Sequence, residues 1–200
     1  MTTTLTTSAA IAPDASVFSK IRDPECNLAI WERETLANAA ELLAGSPSDV
    51  RFSCSLEELA DRLPFEMSNS GFSQDIAIDH FVSDVSHLAN EYCSAMQLGG
   101  VEVRLEIVTT DSCRKWHADY VKARLITTYI GTGTQWLNEE DADRVRAGEE
   151  PQHINTMAAG DIGLFKGKMA TDHPAIHRSP PIAGTGEKRL LLVLNPPEAN

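Results

Sequence analysis

The segment Cys113-Arg-Lys-Trp-His117-Ala-Asp119, paired with the distant Ala-Ile-His177-Arg-Ser-Pro-Pro181, constrains the fold of this chain more than any other feature. If His117 and Asp119 lie on a β-strand, the period of two puts both side chains on one face, about 7 Å apart along the backbone. Two imidazoles and one carboxylate can hold a divalent ion from one side and leave its other side open. That requires a fold that carries the chain back, so that His177 returns beside the first pair. The same tripeptide on a surface strand would be incidental, so the weight falls on His177. It follows a strand-like segment between glycines, Gly160-Asp-Ile-Gly-Leu-Phe165-Lys-Gly167.

The texture of the sequence fits such a fold after Gly100. Val101-Glu-Val-Arg-Leu-Glu-Ile-Val108 alternates apolar and polar residues, Val121 to Ile130 is β-branched and ends at Gly131-Thr-Gly133, and Arg189 to Leu194 reads as a buried terminal strand. Several short strands punctuated by Gly and Pro predict a small barrel or jelly roll. Residues 138–150 are a charged excursion, read as a loop with a helical turn. Before Gly100 the spacing is helical. Leu28 through Leu43 reads as an amphipathic helix stopping at Gly45-Ser-Pro47; Ser55 with Glu58 forms a capping box opening a helix that ends before Pro64; Asp79 to Met96 aligns Phe81, Val82, Val85, Leu88, Ala89 and Tyr92 on one face. The expected fold class is therefore α+β: a C-terminal double-stranded β-helix over residues 100–200, with mainly helical residues 17–99 packed on it as one domain. Residues 1–16, rich in Thr, Ser and Ala, are expected to be disordered.

With 42% hydrophobic residues in 200, the chain can bury one sizeable core. A formal charge of −12 and the absence of a Lys/Arg-rich block make nucleic acid an unexpected partner unless a local basic groove is hidden in the average. No signal peptide or membrane span is expected. Cys26, Cys54, Cys93 and Cys113 show no CxxC spacing, which argues against a disulfide framework or zinc ribbon and suits a cytoplasmic setting. The expected substrate is a small molecule or a peptide. A homodimer through the amphipathic N-terminal helices is one way to cover their apolar faces.

A two-His, one-carboxylate set with vacant positions suits a non-haem Fe(II) oxygenase. Neutral imidazoles and an ionised carboxylate are the binding forms, so affinity is expected to weaken as pH falls toward the free His pKa of about 6.5. Arg189 brings a cation into an otherwise apolar run and needs an anionic partner. That partner is either the distal carboxylate of 2-oxoglutarate, gripped bidentately, or a structural carboxylate such as Asp161 or Glu187. Thr127 and Tyr129 share a strand face and offer hydroxyls to a cofactor, or simply line the core. Cys113 shares parity with His117 and is a possible further ligand, which would favour closed tetrahedral Zn(II). Against this, an extended strand separates the two by roughly 13 Å. His173 is either a loop residue or a supporting partner of His177. His80, His87 and His153, the cluster Asp75, Asp79 and His80, and a hydrolase triad through Ser179 are weaker candidates, the last because no nucleophile-elbow sequence surrounds the serine.

From Cys113 onward the chain resembles an uncharacterised bacterial domain family of unknown function. The matching text is Cys113-Arg-Lys-Trp-His-Ala-Asp119, Arg124-Leu-Ile-Thr-Thr-Tyr-Ile-Gly-Thr-Gly-Thr-Gln-Trp-Leu137, Lys166-Gly167 and His177-Arg-Ser-Pro-Pro181. More distantly, the same half resembles the 2-oxoglutarate-dependent dioxygenases, particularly the prolyl-hydroxylase-like branch. That resemblance implies Fe(II) at His117, Asp119 and His177, and 2-oxoglutarate at Arg189. The His-Arg-Ser-Pro-Pro stretch and Cys113 depart from the pattern, which keeps open a non-catalytic, cupin-like protein that handles zinc or another metal.

Overall fold

The computed structural model describes residues 8–72 and 76–197. Its largest element is a seven-stranded sheet, built from β1 (Ala9–Ala12), β2 (Leu28–Trp31), β3 (Val50–Ser55), β4 (Gly100–Val108), β5 (Ala123–Ile130), β8 (Ile162–Lys166) and β10 (Arg189–Asn195). The strand order is β1-β2-β8-β5-β10-β4-β3, antiparallel except for the β1–β2 pair. A second, three-stranded sheet is formed by β6 (Gln135–Trp136), β7 (Asn155–Thr156) and β9 (His177–Arg178) in the order β7-β6-β9, and His117 joins it through a bridge to His177. From β4 onward the chain shuttles between these sheets: β4, then the His117 bridge, β5, then β6 and β7, β8, β9 and finally β10.

The sheet buries both of its faces, and strand alternation decides which residue goes where. Val101, Val103 and Leu105 of β4, Leu125 and Tyr129 of β5, and Leu190, Leu192 and Leu194 of β10 join one cluster with the helices α1 (Leu56–Asn69) and α2 (Ile76–Met96). Phe81, Val85, Leu88, Ala89 and Tyr92 of α2 are almost fully buried there, and the Tyr92 hydroxyl donates to the Ala123 carbonyl at 2.9 Å. The opposite face contributes Ile126, Phe165, Leu191 and Val193 to a second cluster that includes Met157 and Ala175, with Trp136 of the small sheet packed against it. The space between the two sheets is therefore partly apolar and closed.

The N-terminal half differs from its helical expectation. Leu28-Ala-Ile-Trp31 is a strand with Leu28 and Ile30 in one cluster and Ala29 in the other, because pairing with β8 on one side and β1 on the other buries both of its faces. The helical spacing survives only as a 3₁₀ turn at Ala39–Leu43. Residues 9–12, expected to be disordered, form β1, while residues 1–7 lie outside the described residues. The large sheet is thus not confined to residues 100–200; β1 and β2 extend one edge and β3 the other. Helix α1 begins at the Ser55–Glu58 capping box as expected but continues through Pro64 to Asn69. Leu63 and Met67, both fully buried, anchor the turns on either side of the proline, and that burial outweighs the lost hydrogen bond. The charged excursion contains α3 (Glu139–Arg146), capped by Asn138 with acids in its first turn and Arg144 and Arg146 in its last. Among the described residues no helix is long and apolar enough to cross a membrane.

Candidate metal centre

His117, Asp119 and His177 come together in the structure, with one ligand atom of each lying within 4.8 Å of the others. His117 and His177 face each other across the bridge, exchanging backbone hydrogen bonds at 3.0 and 2.9 Å, with ring centroids 4.6 Å apart. Each ring is fixed from behind. The Nδ1 of His117 lies 2.9 Å from the Lys115 carbonyl and the Nδ1 of His177 3.1 Å from the Ala175 carbonyl. A carbonyl can only accept, so each Nδ1 carries a proton, and the neutral form of each ring presents its lone pair at Nε2. Both Nε2 atoms turn toward Asp119, at 3.3 Å from His177 to Oδ2 and 3.9 Å from His117 to Oδ1. In their neutral forms the two imidazoles aim acceptors at an acceptor, an arrangement that an ion between them would resolve.

Asp119 is held in an asymmetric way. Its Oδ1 accepts from Arg124 Nη1 at 2.5 Å, while its Oδ2 is buried without a hydrogen-bond donor. Arg124 is itself fixed by Asn195 at 2.6 Å, Asn195 donates to Glu102 at 2.8 Å, and Glu102 pairs with Arg51. Burial would raise the Asp119 pKa, but the His177 imidazole beside it and the positive charge of Arg124 outweigh that and hold the carboxyl below its usual range. Burial, reinforced by the neighbouring His177, holds the His117 imidazole below its ordinary value against the opposing pull of the Lys115 carbonyl and Asp119. Both groups are thus kept in the forms that ligate metal. The orphaned Oδ2 and the two Nε2 atoms are donors of the types that ligate a divalent ion.

Packing of the loops also favours the site. The turn after β8 lies on the Asp119 backbone, Lys168 N–H donating to the Asp119 carbonyl at 2.9 Å. A Cβ at Gly167 would stand 2.8 Å from that carbonyl and still closer to Val121 O, so only glycine permits this approach. Phe165 packs its ring 4.7 Å from that of His177 and closes the inner wall.

Arg189 is fully buried on the face of β10 that looks between the sheets. Its guanidinium donates to Thr132 O at 2.6 Å, Ser179 Oγ at 3.0 Å and Thr128 Oγ1 at 3.2 Å. Neither structural ion pair considered for it forms: Asp161 accepts from the Arg33 and Ala158 amides, and Glu187 accepts from the Thr132 amide. Burial lowers the Arg189 pKa against the pull of the Glu187 and Glu106 charges, yet an arginine stays charged, so a buried cation hydrogen-bonds only neutral oxygens. Ser179, two residues beyond His177 and just past the end of β9, ties this cation to the metal centre and not to a hydrolase triad.

The structure corrects one expectation for the site, the cofactor role of Thr127 and Tyr129, and decides two alternatives left open, for Cys113 and His173. Thr127 and Tyr129 point away from the metal, into the helix-facing cluster, where the Tyr129 hydroxyl donates to Asp84 at 2.6 Å. Their common parity is real, but the register of β5 against β8 and β10 pairs Thr127 with Ile162 and Leu192 and turns that face to the helices. Thr128 is the residue that faces inward. Cys113 is exposed, with its φ at +57°, and stands outside the cluster; no strand runs through it to His117, because the chain turns at residues 112–113, where the Cys113 carbonyl accepts from the Ser179 amide. His173 pairs with Glu139 at 3.0 Å on the surface rather than with His177. His153 is a surface partner of Asp141, His87 packs edge-on to Trp31, and Asp75 lies outside the described residues. Arg124, Asn195 and Thr128 were not picked out by sequence reasoning as site residues, although the polar positions on the inner face of β5 and β10 could have signalled them, and Ser179 was weighed only for a hydrolase triad.

A family described only as a protein of unknown function, DUF1826, matches residues 12–195, which include all of the motifs above. The chain belongs to that family. The match extends the resemblance noted from Cys113 onward through the N-terminal strands and helices of the DUF1826 chain as well. No curated protein matches the sequence. Among solved structures, the chain is similar to AviO1 from Streptomyces viridochromogenes Tue57, at 14% identity and a TM-score of 0.46 over 94% of this chain and 98% of that one. It is similar to a Pseudomonas putida prolyl-4-hydroxylase at 12% and 0.47, covering 94% and 98%. A third likeness is to AtDAO1, a dioxygenase for auxin oxidation from Arabidopsis thaliana solved with 2-oxoglutarate, at 6% and 0.49, covering 96% and 92%.

Proposed function

We propose that this DUF1826 protein is a non-haem Fe(II), 2-oxoglutarate-dependent oxygenase of the hydroxylase type, built on a double-stranded β-helix. The observation that carries the reading is the triad itself: two tautomerically fixed imidazoles and an ionised carboxylate converge, with one buried carboxylate oxygen lacking a donor. His117, Asp119 and His177 would hold the ion, and Arg189 with Ser179 and Thr128 would receive the distal carboxylate of the keto acid. The buried Arg189, whose hydrogen bonds all go to neutral oxygens, supports that assignment. When bound, a ferrous ion with open positions supplies O2 activation, and the oxidative decarboxylation of 2-oxoglutarate supplies two of the electrons.

The chain's own residues perform the remaining tasks. The Lys115 and Ala175 carbonyls keep each Nδ1 protonated, so that neither imidazole needs to shed a proton to ligate. Arg124 occupies one oxygen of Asp119 and thereby fixes which one faces the ion. Phe165, Leu191 and Val193 keep water from the wall beside His177.

The test is an anaerobic titration of metal-free protein with Fe(II) and then 2-oxoglutarate, following the weak visible charge-transfer band of a chelated keto acid, with Zn(II) as competitor. A band in the wild type that is absent in Arg189→Ala and in the milder Arg189→Met, with metal binding retained in both, is the expected result. Tight Zn(II) binding with no band in the wild type would overturn the oxygenase reading in favour of metal handling.

A further inference from the structure

A line of polar side chains leads away from Asp119 across four strands of the large sheet. Glu102 of β4, Arg124 of β5 and Asn195 of β10 share the face opposite the helices, because their neighbours Val101, Val103, Leu125 and Leu194 fill the helix-facing cluster. The register sets Asn195 directly opposite Glu102, and Arg124 lies one residue beyond the pair Leu125–Leu194. Hydrogen bonds then run without a break. Arg124 donates through Nη1 to Asp119 Oδ1 at 2.5 Å and through Nε to Asn195 Oδ1 at 2.6 Å, and Asn195 Nδ2 donates to Glu102 Oε2 at 2.8 Å. The other oxygen of Glu102 accepts from Arg51 of β3.

The amide of Asn195 works only one way round in this line. A guanidinium has no acceptor, so the amide oxygen must face Arg124, and the amide nitrogen must then face an acceptor, which Glu102 supplies. Glu102 thus fixes Asn195, and Asn195 fixes the guanidinium that holds Asp119. The charges are matched as well. The side chains of Asp119, Arg124 and Glu102 are 10%, 19% and 9% exposed, whereas that of Arg51 is 60% exposed and largely solvated. The inner end of the line therefore buries two carboxylates against one guanidinium, an excess of negative charge that a cation at the triad would offset. A divalent ion on Asp119 stands one carboxylate away from Arg124, and the second carboxylate counters that repulsion. The neutral imidazoles of His117 and His177 supply none of this charge.

We propose that Glu102 is a positioning residue for the metal centre. Through Asn195 and Arg124 it fixes the orientation of Asp119, and it supplies the second negative charge against which a divalent ion is bound. This rests on the triad being a metal site. Glu102 ligates nothing itself; two side chains separate its carboxylate from that of Asp119.

Calorimetric titration of the metal-free, full-length chain with Mn(II) tests the proposal, with circular dichroism and the thermal midpoint recorded for every variant. Glu102→Gln keeps the size of the side chain, removes its charge and turns an amide nitrogen toward a neighbour that is itself a donor. Mn(II) affinity should fall about tenfold. In an Arg124→Met background the same change should alter affinity less than about twofold, because the link to Asp119 is already cut. The exchange Glu102→Gln/Asn195→Asp moves the carboxylate one link nearer Arg124 and restores a donor facing an acceptor at every link. Its affinity should return to at least about half the wild-type value. A lowered thermal midpoint in Glu102→Gln with Mn(II) affinity intact would make the line purely structural and overturn the proposal. An equal loss with and without Arg124 overturns it too, as does an exchange variant that stays about tenfold weaker than wild type. If Glu102→Gln does not fold, the exchange variant is read alone by the same criterion. Wild-type protein that binds Mn(II) regardless of Glu102 removes this role alone, whereas wild-type protein that binds no Mn(II) removes the metal centre and the role with it.

Discussion

The two faces of the large sheet are made by the same strands and do opposite things. Toward the helices, β4, β5 and β10 present Val101, Val103, Leu105, Leu125, Tyr129, Leu190, Leu192 and Leu194, nearly all of it hydrocarbon. Toward the small sheet they present Glu102, Arg124, Thr128, Arg189 and Asn195, a buried polar row connected by hydrogen bonds, beside a smaller apolar cluster. One face supplies stability through area removed from water; the other spends some of that stability on buried charge that must be satisfied or given a ligand. The contrast explains how a chain of this size can carry an arginine at zero exposure. The hydrophobic face one residue away holds the strand in place while the cation awaits a partner.

That contrast can be broken most forcefully from the apolar side. Leu192→Ala removes a fully buried side chain from the helix-facing cluster and should cost about 3 kcal/mol in chemical denaturation. Metal affinity of the folded fraction should stay near wild type, and a large loss of affinity at full folding would show that the faces are not separable. On the polar side, Arg124→Met frees the Asp119 oxygen that it now holds, and metal affinity should fall by about 10- to 100-fold while the thermal midpoint moves little. Isothermal titration with Mn(II) or Zn(II) reads this directly.

A pair of variants at adjacent residues of β5 sharpens the comparison further. Tyr129→Phe loses the hydroxyl contact to Asp84 and should cost about 1 kcal/mol of stability without changing 2-oxoglutarate affinity. Thr128→Val should do the reverse, weakening the keto acid and sparing the fold. Equal effects of both on the keto acid would place the register of β5 in error. The smallest effect is chemical. Burial pushes the thiols of Cys26 and Cys54 up and that of Cys93 up to about 11, so these stay protonated and unreactive at pH 8. Cys113 is exposed, and about one equivalent of thiol per native chain should be labelled by iodoacetamide at that pH. For Cys93 the rate should climb only as pH approaches its raised pKa, and prompt labelling of several thiols would contradict the packing around α2.

The parts of the site that could be read from the sequence were those fixed by short-range periodicity. His117 and Asp119 share a face because two residues apart on an extended segment always do, and Arg189 stood out because a cation in an apolar run has few ways to be satisfied. The buried face of α2 followed from spacing in the same way. Leu28 to Trp31 misled because a four-residue apolar run carries the same local signal in a helix as in a two-sided strand. Proline at position 64 misled because a local penalty was weighed without the burial of Leu63 and Met67 on either side.

By itself, then, the sequence determined the ligand types, their order and the parity of each within its own segment, since these depend only on backbone geometry over a few residues. Which parity faces which neighbour was decided by tertiary structure alone. Thr127 and Tyr129 turned to the helices and Thr128 to Arg189 because the pairing of β5 with β8 and β10 sets the face of the whole strand, and that pairing is made with residues far away in the chain. The same non-local pairing drew β1, β2 and β3 into the sheet and turned Cys113 outward.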